Sequence, residues 1–369
     1  MSKIVISGYY GSDNAGDEAM LAAMIEVLSD LDPKIEITVI SARPDDTEKR
    51  HGVKAVSWLG IPAIWKAMRE ADLLISGGGS LLQNVTSGRS LYYYLGIIFL
   101  AKLAGLPVML YAQGIGPVYG GFARWLMSWL GNHARMITVR DKGSLAELAS
   151  LGINRPHIEA TADPVLAIHP VDKGIGRAIL EKYHADGAKP VVGISVREWR
   201  GWNHYKDVLA QAADQIVREF NARVVFMPMQ YPGDVKAAET VAARMKEESI
   251  VLREDFSTSE LLSLVGNLDI LVGIRLHALI FAGVMGVPMI GISYDPKVER
   301  FLDSIGEKAA GRLEDISVAG LLAEIRKKWH DKAVFRTKNA ELLAGLRVQA
   351  LHNAELALGI IGEAKEKKN

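Results

Sequence analysis

The residues best suited to chemistry lie in the run Gly273-Ile274-Arg275-Leu276-His277, which closes an apolar strand-like segment and opens an apolar helix. Residues two apart at a strand end point to the same side, so Arg275 and His277 can face one ligand together. A lone histidine beside an apolar helix is more often a satisfied core residue; the neighbouring arginine tips the balance toward a site. The next strand-like run ends in Tyr294-Asp295-Pro296-Lys297. Right-handed crossovers set consecutive parallel strands side by side, which would bring Lys297 near both residues. Two cations and an imidazole suit an anionic, phosphorylated substrate whose reaction moves a proton.

Other strand ends carry weaker signals. Arg140 closes the run Met136-Ile137-Thr138-Val139. An arginine followed by Asp141 is usually a surface ion pair, but its position at a strand end favours a role. Gly77-Gly78-Gly79-Ser80 offers close backbone approach and free amides to an anion or a sugar hydroxyl. A tight sheet–helix contact would explain these glycines equally well. The loop from Gly8 to Glu18 leads into a helix that Asn14 can cap, while Asp17 suits the positive helix terminus. Two carboxylates in that first turn would repel a phosphate, which leaves capping with contact to a hydroxylic ligand, or a structural role alone. Arg197, Trp199, Arg200, Trp202 and His204 follow another strand, with Gln230 at the same level one strand on. Aromatic residues among cations suit sugar stacking or carboxylate binding; packing at a domain edge is the plainer alternative.

Composition narrows the field. The 369 residues hold 43 Lys+Arg against 43 Asp+Glu, so the basic excess of a dedicated nucleic-acid binder is missing. No cysteine is present, which excludes disulfides, thiolate metal sites and a Cys nucleophile. Neither Gly-x-Gly-x-x-Gly nor Gly-x-x-x-x-Gly-Lys-Ser/Thr occurs, so dinucleotide binding of the usual kind and P-loop hydrolysis lose their support. No Gly-x-Ser-x-Gly elbow occurs either. No His/carboxylate pair has ligand spacing, so no metal site is expected.

The elements that must position these residues read as a βαβ rhythm. Lys3–Ser7, Glu36–Ser41, Asp72–Ser76, Pro107–Gln113 and Met136–Arg140 are short aliphatic runs with amphipathic segments between them. Runs apolar on both faces mark a parallel sheet covered by helices. The rhythm restarts after Pro190 with Val191–Val196, Arg223–Met229, Leu268–Ile274 and Pro288–Ser293. The expected organisation is α/β, with two Rossmann-like parallel-sheet domains facing across a cleft: 1–170, a linker over 171–188, 189–314, then C-terminal helices over 315–369 ending in a frayed charged tail. Ligands of open parallel sheets bind beyond the strands' carboxyl ends, so the cleft is the expected site. Leu91–Ala112 carries only Lys102 as a charge, yet Gly105 and Pro107 divide it into a buried helix and a strand, too short to span a bilayer. The first residues form a strand and a turn rather than a signal peptide, so the expected location is the cytoplasm.

Taken together, Gly8-Tyr9-Tyr10-Gly11 with Asn14-x-Gly16-Asp17-Glu18, Ser76 to Gln83, Tyr111 to Pro117, Val139-Arg140-Asp141 and Gly273 to Ala278 resemble the polysaccharide pyruvyl transferase family. The resemblance runs in order from residue 4 to about 305 and is closest to members acting in bacterial cell-wall polysaccharide synthesis. It implies a glycosyltransferase-B type fold, with the first domain on the acceptor side and the second on the donor side. It places Arg140, His277 and Lys297 where the family keeps its essential arginine, histidine and lysine. The implied reaction moves the enolpyruvyl unit of phosphoenolpyruvate onto two hydroxyls of one sugar, giving a cyclic ketal and free phosphate, with no cofactor. Arg275, Arg197, Gly78, Gly79 and Ser80 are then expected around the donor, and Asn14, Asp17, Asn84 and Gln230 around the acceptor. Asn84 departs from the pattern, standing where an aspartate is expected. His277 is the expected general acid/base, its ordinary pKa near 6.5 lowered by neighbouring cations. The acceptor implied is an N-acetylmannosamine-containing disaccharide on a polyprenyl diphosphate, met at the inner membrane face without spanning it. A nucleotide-sugar glycosyltransferase of the same fold and a non-catalytic sugar-binding protein are the competing readings.

Overall fold

Aliphatic strands and amphipathic helices alternate through both halves of the computed structural model, which describes residues 1–85 and 87–366. The chain divides into two units, one of 1–12, 17–168 and the chain from 346 on, the other of 13–16 and 169–345.

In the first unit, β1 (Lys3–Ser7), β2 (Glu36–Ser41), β3 (Lys54–Ser57), β4 (Leu73–Ser76), β5 (Val108–Gln113), β6 (Met136–Val139) and β7 (His157–Ala160) form one sheet. Its order is β3-β2-β1-β4-β5-β6-β7, and every pairing is parallel. The connecting helices are α1 (Ala15–Leu31), α2 (Pro44–His51), α3 (Ile61–Glu70), α4 (Gly88–Leu103), α5 (Gly121–Gly131) and α6 (Lys142–Ser150). Central strands β4 and β5 are buried at every position, which is why they read as unbroken apolar runs. The edge-ward strands β3 and β7 (Lys-Ala-Val-Ser and His-Ile-Glu-Ala) carry exposed polar residues, so their apolar signal is too thin to predict.

The second unit holds α7 (Gly174–Lys182), β8 (Val191–Ser195), α8 (His204–Phe220), β9 (Arg223–Phe226), α9 (Gly233–Ala242), β10 (Ile250–Val251), α10 (Thr258–Gly266), β11 (Ile270–Gly273), α11 (Leu276–Val284), β12 (Met289–Gly291), α12 (Pro296–Ser304), α13 (Val318–His330) and α14 (Lys332–Lys338). Its sheet is also parallel, in the order β10-β9-β8-β11-β12. The consecutive strands β11 and β12 are neighbours, the commoner outcome of such a crossover. One apolar core gathers around this sheet, and a separate one fills the first unit.

Three features differ from expectation. The stretch read as a linker, 171–188, contains α7, whose Gly176 lies so close to the backbone of Ser263 that a Cβ would come within 2.4 Å of it. The Gly176 amide donates to Ser263 Oγ at 2.7 Å, fastening this helix to α10. The last helix, α15 (Ala340–Glu366), does not stay with its neighbours in sequence: from Leu346 on it belongs to the first unit. Buried Asn353 holds it there, its Oδ1 accepting from the hydroxyls of Thr138 at 2.6 Å and Thr161 at 2.8 Å. The expected frayed tail over 363–369 is helical to Glu366, and its last three residues lie outside the described ones. Finally, Leu91–Ala112 is a helix and a strand as predicted, and among the described residues no helix is long and apolar enough to cross a membrane. The helix is not fully buried, however, since Tyr92, Phe99 and Leu103 stand in solvent.

Candidate active site

The carboxyl ends of the second sheet carry Arg197, Gln230, Asp234, Arg275, His277, Tyr294 and Lys297, from strands that the sheet order makes neighbours. Arg275 is the N-cap residue of α11, and His277 lies in that helix's first turn. The Arg275 guanidinium forks onto buried Asp234, with Nε to Oδ2 at 3.0 Å and Nη2 to Oδ1 at 2.5 Å. Its Nη2 also donates to Gln230 Oε1 at 2.8 Å. Asp234 further accepts from the Met229 amide at 3.1 Å and is only 1 % exposed. Such a bidentate buried pair fixes geometry and neutralises the arginine. Arg275 therefore reaches a ligand with much of its charge already taken, which the sequence reading did not anticipate. Asp234 went unnoticed because an acid in a helix's first turn reads as ordinary dipole compensation.

Arg197 and Lys297 face a phenol. The Arg197 guanidinium lies 4.2 Å from the Tyr294 ring centre and 4.8 Å from that of Trp199. Lys297 Nζ is 5.3 Å from the same tyrosine ring. Burial lowers the Arg197 pKa, and Arg275 nearby lowers it further against the pull of Tyr294 and Asp234. Arg197 Nε is buried and, among the described residues, makes no hydrogen bond. For Tyr294, burial alone would raise the pKa; Lys297 and Arg197 outweigh it and hold the phenol below its usual value of 10.0. Tyr294 is visible in the sequence, where it reads only as part of a turn. Trp199 and Trp202 pack at the edge of the core, as the plainer alternative has it, and Arg200 lies 5.3 Å from the Trp199 ring centre. His204 is structural, its Nε2 meeting the Ile316 carbonyl at 2.9 Å.

The segment 13–16 completes this face. Asn14 bridges Gln230 in backbone pairing, and the Ala15 amide donates to the Met229 carbonyl at 2.9 Å. Asn14 Oδ1 accepts from the Gly16 amide at 3.1 Å, the capping role expected of it. Gly16 sits directly against the imidazole: a Cβ there would stand 2.0 Å from His277 Nδ1. That position can only be glycine while the ring keeps its place.

In the first unit, Arg140 follows β6 and is 6 % exposed. It pairs with Asp163 through Nη1 at 2.6 Å rather than with Asp141, which caps α6, and it donates to Ser80 Oγ at 3.2 Å. Burial by itself would lower the Arg140 pKa; Asp163 outweighs it and keeps the guanidinium firmly protonated. Gly77, Gly78 and Gly79 answer to packing: Cβ atoms would lie 2.1 Å from the Tyr10 hydroxyl, 3.0 Å from Met20 Sδ and 3.0 Å from Met20 Cε respectively. Gly79 also takes a φ of +96°. Asp17 Oδ1 is 3.2 Å from that Gly79 position. Its neighbour Glu18 turns inward, accepting from the Gly11 amide at 2.7 Å and meeting His51 Nε2 at 3.0 Å.

Asn84 has a specific local task. Its Nδ2 donates to the Tyr119 carbonyl at 2.7 Å while its Oδ1 accepts from the Tyr119 amide at 2.8 Å. A carboxylate can accept but not donate, so the aspartate expected here could make only one of the two bonds. Asn84→Asp should lower stability by about 1 kcal/mol or less, the net value of one exposed hydrogen bond, in urea melts. An unchanged midpoint would show that the amide does not hold this loop.

Among the described residues, no group of three His, Asp or Glu is arranged to hold a metal ion. Two doubly wound parallel sheets with cations at their strand ends are the glycosyltransferase-B type of architecture. Solved structures share it along nearly the whole chain. The MnaA–UDP co-structure from S. aureus has a TM-score of 0.67 at 12% identity, covering 95% of this chain and 94% of that one. UDP-GlcNAc 2-epimerase from Neisseria meningitidis, bound to UDP-GlcNAc, has 0.65 at 11%, covering 98% and 100%. The E. coli ADP-heptose LPS heptosyltransferase II has 0.53 at 15%, covering 90% and 100%. At such identities the likeness concerns the fold alone. Residues 14–296 match the polysaccharide pyruvyl transferase family, and the chain belongs to it. None of the curated proteins matches the chain.

Proposed function

We propose that this transferase moves the enolpyruvyl unit of phosphoenolpyruvate onto two hydroxyls of one N-acetylhexosamine, forming a cyclic ketal and releasing phosphate. The observation that carries the reading is the set of Arg197, Arg275, Tyr294 and Lys297 at the strand ends that also present His277. Arg197 and Lys297 gather at the ring of Tyr294, and two cations side by side suit a ligand bearing both a carboxylate and a phosphate. His277 protonates the methylene carbon, leaving an oxocarbenium-like centre at the neighbouring carbon. One sugar hydroxyl adds there and gives up its proton; the second then displaces phosphate and closes the ring. Phosphoenolpyruvate and the two hydroxyl groups thus yield the ketal and inorganic phosphate with no redox change.

On this reading Arg140, Ser80, Gly78 and Gly79 serve the donor, and Asn14, Asp17 and Gln230 the acceptor. Asn84 reaches the acceptor through the Tyr119 loop it holds. Arg140→Ala would strand Asp163 as a buried charge, so the arginine's role is better read from Arg140→Lys. The acceptor is a lipid-linked cell-wall precursor containing N-acetylmannosamine, and the enzyme works in the cytoplasm at the inner membrane face. Incubating the protein with phosphoenolpyruvate and a synthetic lipid-linked disaccharide should add one pyruvyl ketal by mass and release phosphate. Turnover with a nucleotide sugar but not with phosphoenolpyruvate would overturn the proposal.

Tyr294 tests the cation pair. Tyr294→Phe should lower kcat roughly tenfold, the low end of what a proton-handling or ligand-bonding group contributes. Because the cations hold the phenol below 10.0, the wild-type rate should fall on an alkaline limb beneath that pH, and the limb should vanish in the variant. A variant profile that superposes on the wild type would remove Tyr294 from the chemistry.

A further inference from the structure

A separate face of the first unit has no task in this chemistry. Residues 73–140 contain no Asp or Glu but five Lys or Arg, one of them the buried Arg140, within a chain whose charges balance overall. From this stretch fold α4 and α5, and between them runs a ladder of aromatic rings. Tyr92 meets Phe122 at 6.1 Å, Phe122 stacks on Trp125 at 5.8 Å, and Trp125 stacks on Trp129 at 6.2 Å between ring centres. Phe99 joins Trp129 at 6.0 Å, and Lys102 places its ammonium 5.4 Å from the same indole. Trp129 packs against the core, but the outer rings do not: Phe122 is 63 % exposed and Trp125 58 %. The ladder extends from the first turns of both helices to the last turn of α5.

Lys102 also lines a cavity of about 790 Å³ at the start of β5, β6 and β7, together with Arg135 and Arg155 and opposite Glu355 and Glu363. Glu363 is hydrogen-bonded to Arg135, Arg124 lies 3.8 Å from Glu147 and Arg140 is paired with Asp163, so three of the five cations are offset by acids from other segments. Arg89 and Lys102, within α4 itself, have none on their own helix.

We propose that the exposed face of α4 and α5 docks on an anionic lipid bilayer surface, the aromatic rings entering the headgroup region and the cations meeting lipid phosphates. Trp, Tyr and Phe settle at that depth because their rings are apolar while indole and phenol keep a polar edge. Cations carried by helices that hold no acid of their own are attracted to an anionic leaflet. No spanning helix is needed for this, since an apolar face lying in the interface plane suffices. A protein partner would equally bury aromatic rings, but the absence of any acid from α4 and α5 themselves favours a uniformly negative surface. The inference rests on the proposed action at a membrane and supplies its surface; its test needs no turnover, so either can fail alone.

The experiment is sedimentation of the full chain with vesicles of phosphatidylglycerol and phosphatidylcholine, against phosphatidylcholine alone. Binding should require the anionic lipid and weaken in 1 M salt, where screening reaches about 3 Å. Phe122→Ala/Trp125→Ala should reduce the bound fraction about tenfold, with circular dichroism unchanged and turnover on a water-soluble acceptor retained. Lys102→Glu, which alters no exposed apolar surface, should weaken binding to anionic vesicles in the same direction. Failure to bind anionic vesicles, or binding untouched by both variants, would overturn the proposal. So would a concentration-dependent dimer that the double variant dissociates, since a second copy would then cover the face.

Discussion

His277→Ala is expected to lower the rate of ketal formation by about a thousandfold while the protein unfolds at the wild-type midpoint. General acid–base groups contribute roughly 10² to 10⁴, and protonation of the enol carbon has no substitute in water near neutrality. His277 is held at the start of α11 beside Arg275, whose own geometry is secured by Asp234 rather than by the imidazole. Removing the ring should therefore leave the guanidinium in place, so the affinity for phosphoenolpyruvate should change little while kcat falls. Single-turnover kinetics alongside donor titration separate the two. A variant that binds the donor normally and still turns over within threefold of wild type would take the proton from another group, with Tyr294 the first to examine.

Gly16→Ala should cost about a hundredfold in rate although it removes nothing from the site. By helix propensity the change is favourable, worth up to about 1 kcal/mol within a helix and less in its first turn. The added methyl, however, would lie 2.0 Å from Nδ1 and 2.6 Å from Cγ of His277, so the ring or the helix start has to move. A catalytic group displaced by about 1 Å commonly loses 10² in rate. Gly345→Ala supplies the control, because that helical glycine has nothing within 4 Å of the added methyl and should stay fully active. If Gly16→Ala is as active as Gly345→Ala, the imidazole is not held where the chemistry needs it. If it instead lowers the melting point sharply, the contact serves folding before catalysis.

These two substitutions illustrate how unevenly the site could be read. The sequence places Arg275 and His277 at a strand end because the apolar run before them is short and bounded, a local signal of period and length. It places Lys297 one crossover later because consecutive parallel strands tend to lie side by side. What Gly16 does was not legible, since a glycine before a helix has several ordinary explanations and its imidazole neighbour lies in a distant part of the chain. The same holds for Asp234, which takes up the charge of Arg275 from 41 residues away. Asn84 is the reverse case: visible as a departure from an expected pattern, it acquires its reason only from the Tyr119 backbone, 35 residues on. The Gly77–Gly79 run, equally open to anion binding or close packing on sequence, lies against Tyr10 and Met20.

By itself the sequence determined two parallel α/β sheets, their central strands, and the strand ends where reactive side chains collect. Alternation of apolar and polar residues is enforced locally, by the period of each element and by burial of both faces of an inner strand. Only the tertiary structure decided which charges remain available there. Arg140 and Arg275 are matched by buried carboxylates, whereas Arg197 and Lys297 converge on the ring of Tyr294. Whether a cation is neutralised depends on which side chain arrives within about 3 to 5 Å of it, and in a folded chain that neighbour is set by packing rather than by sequence distance.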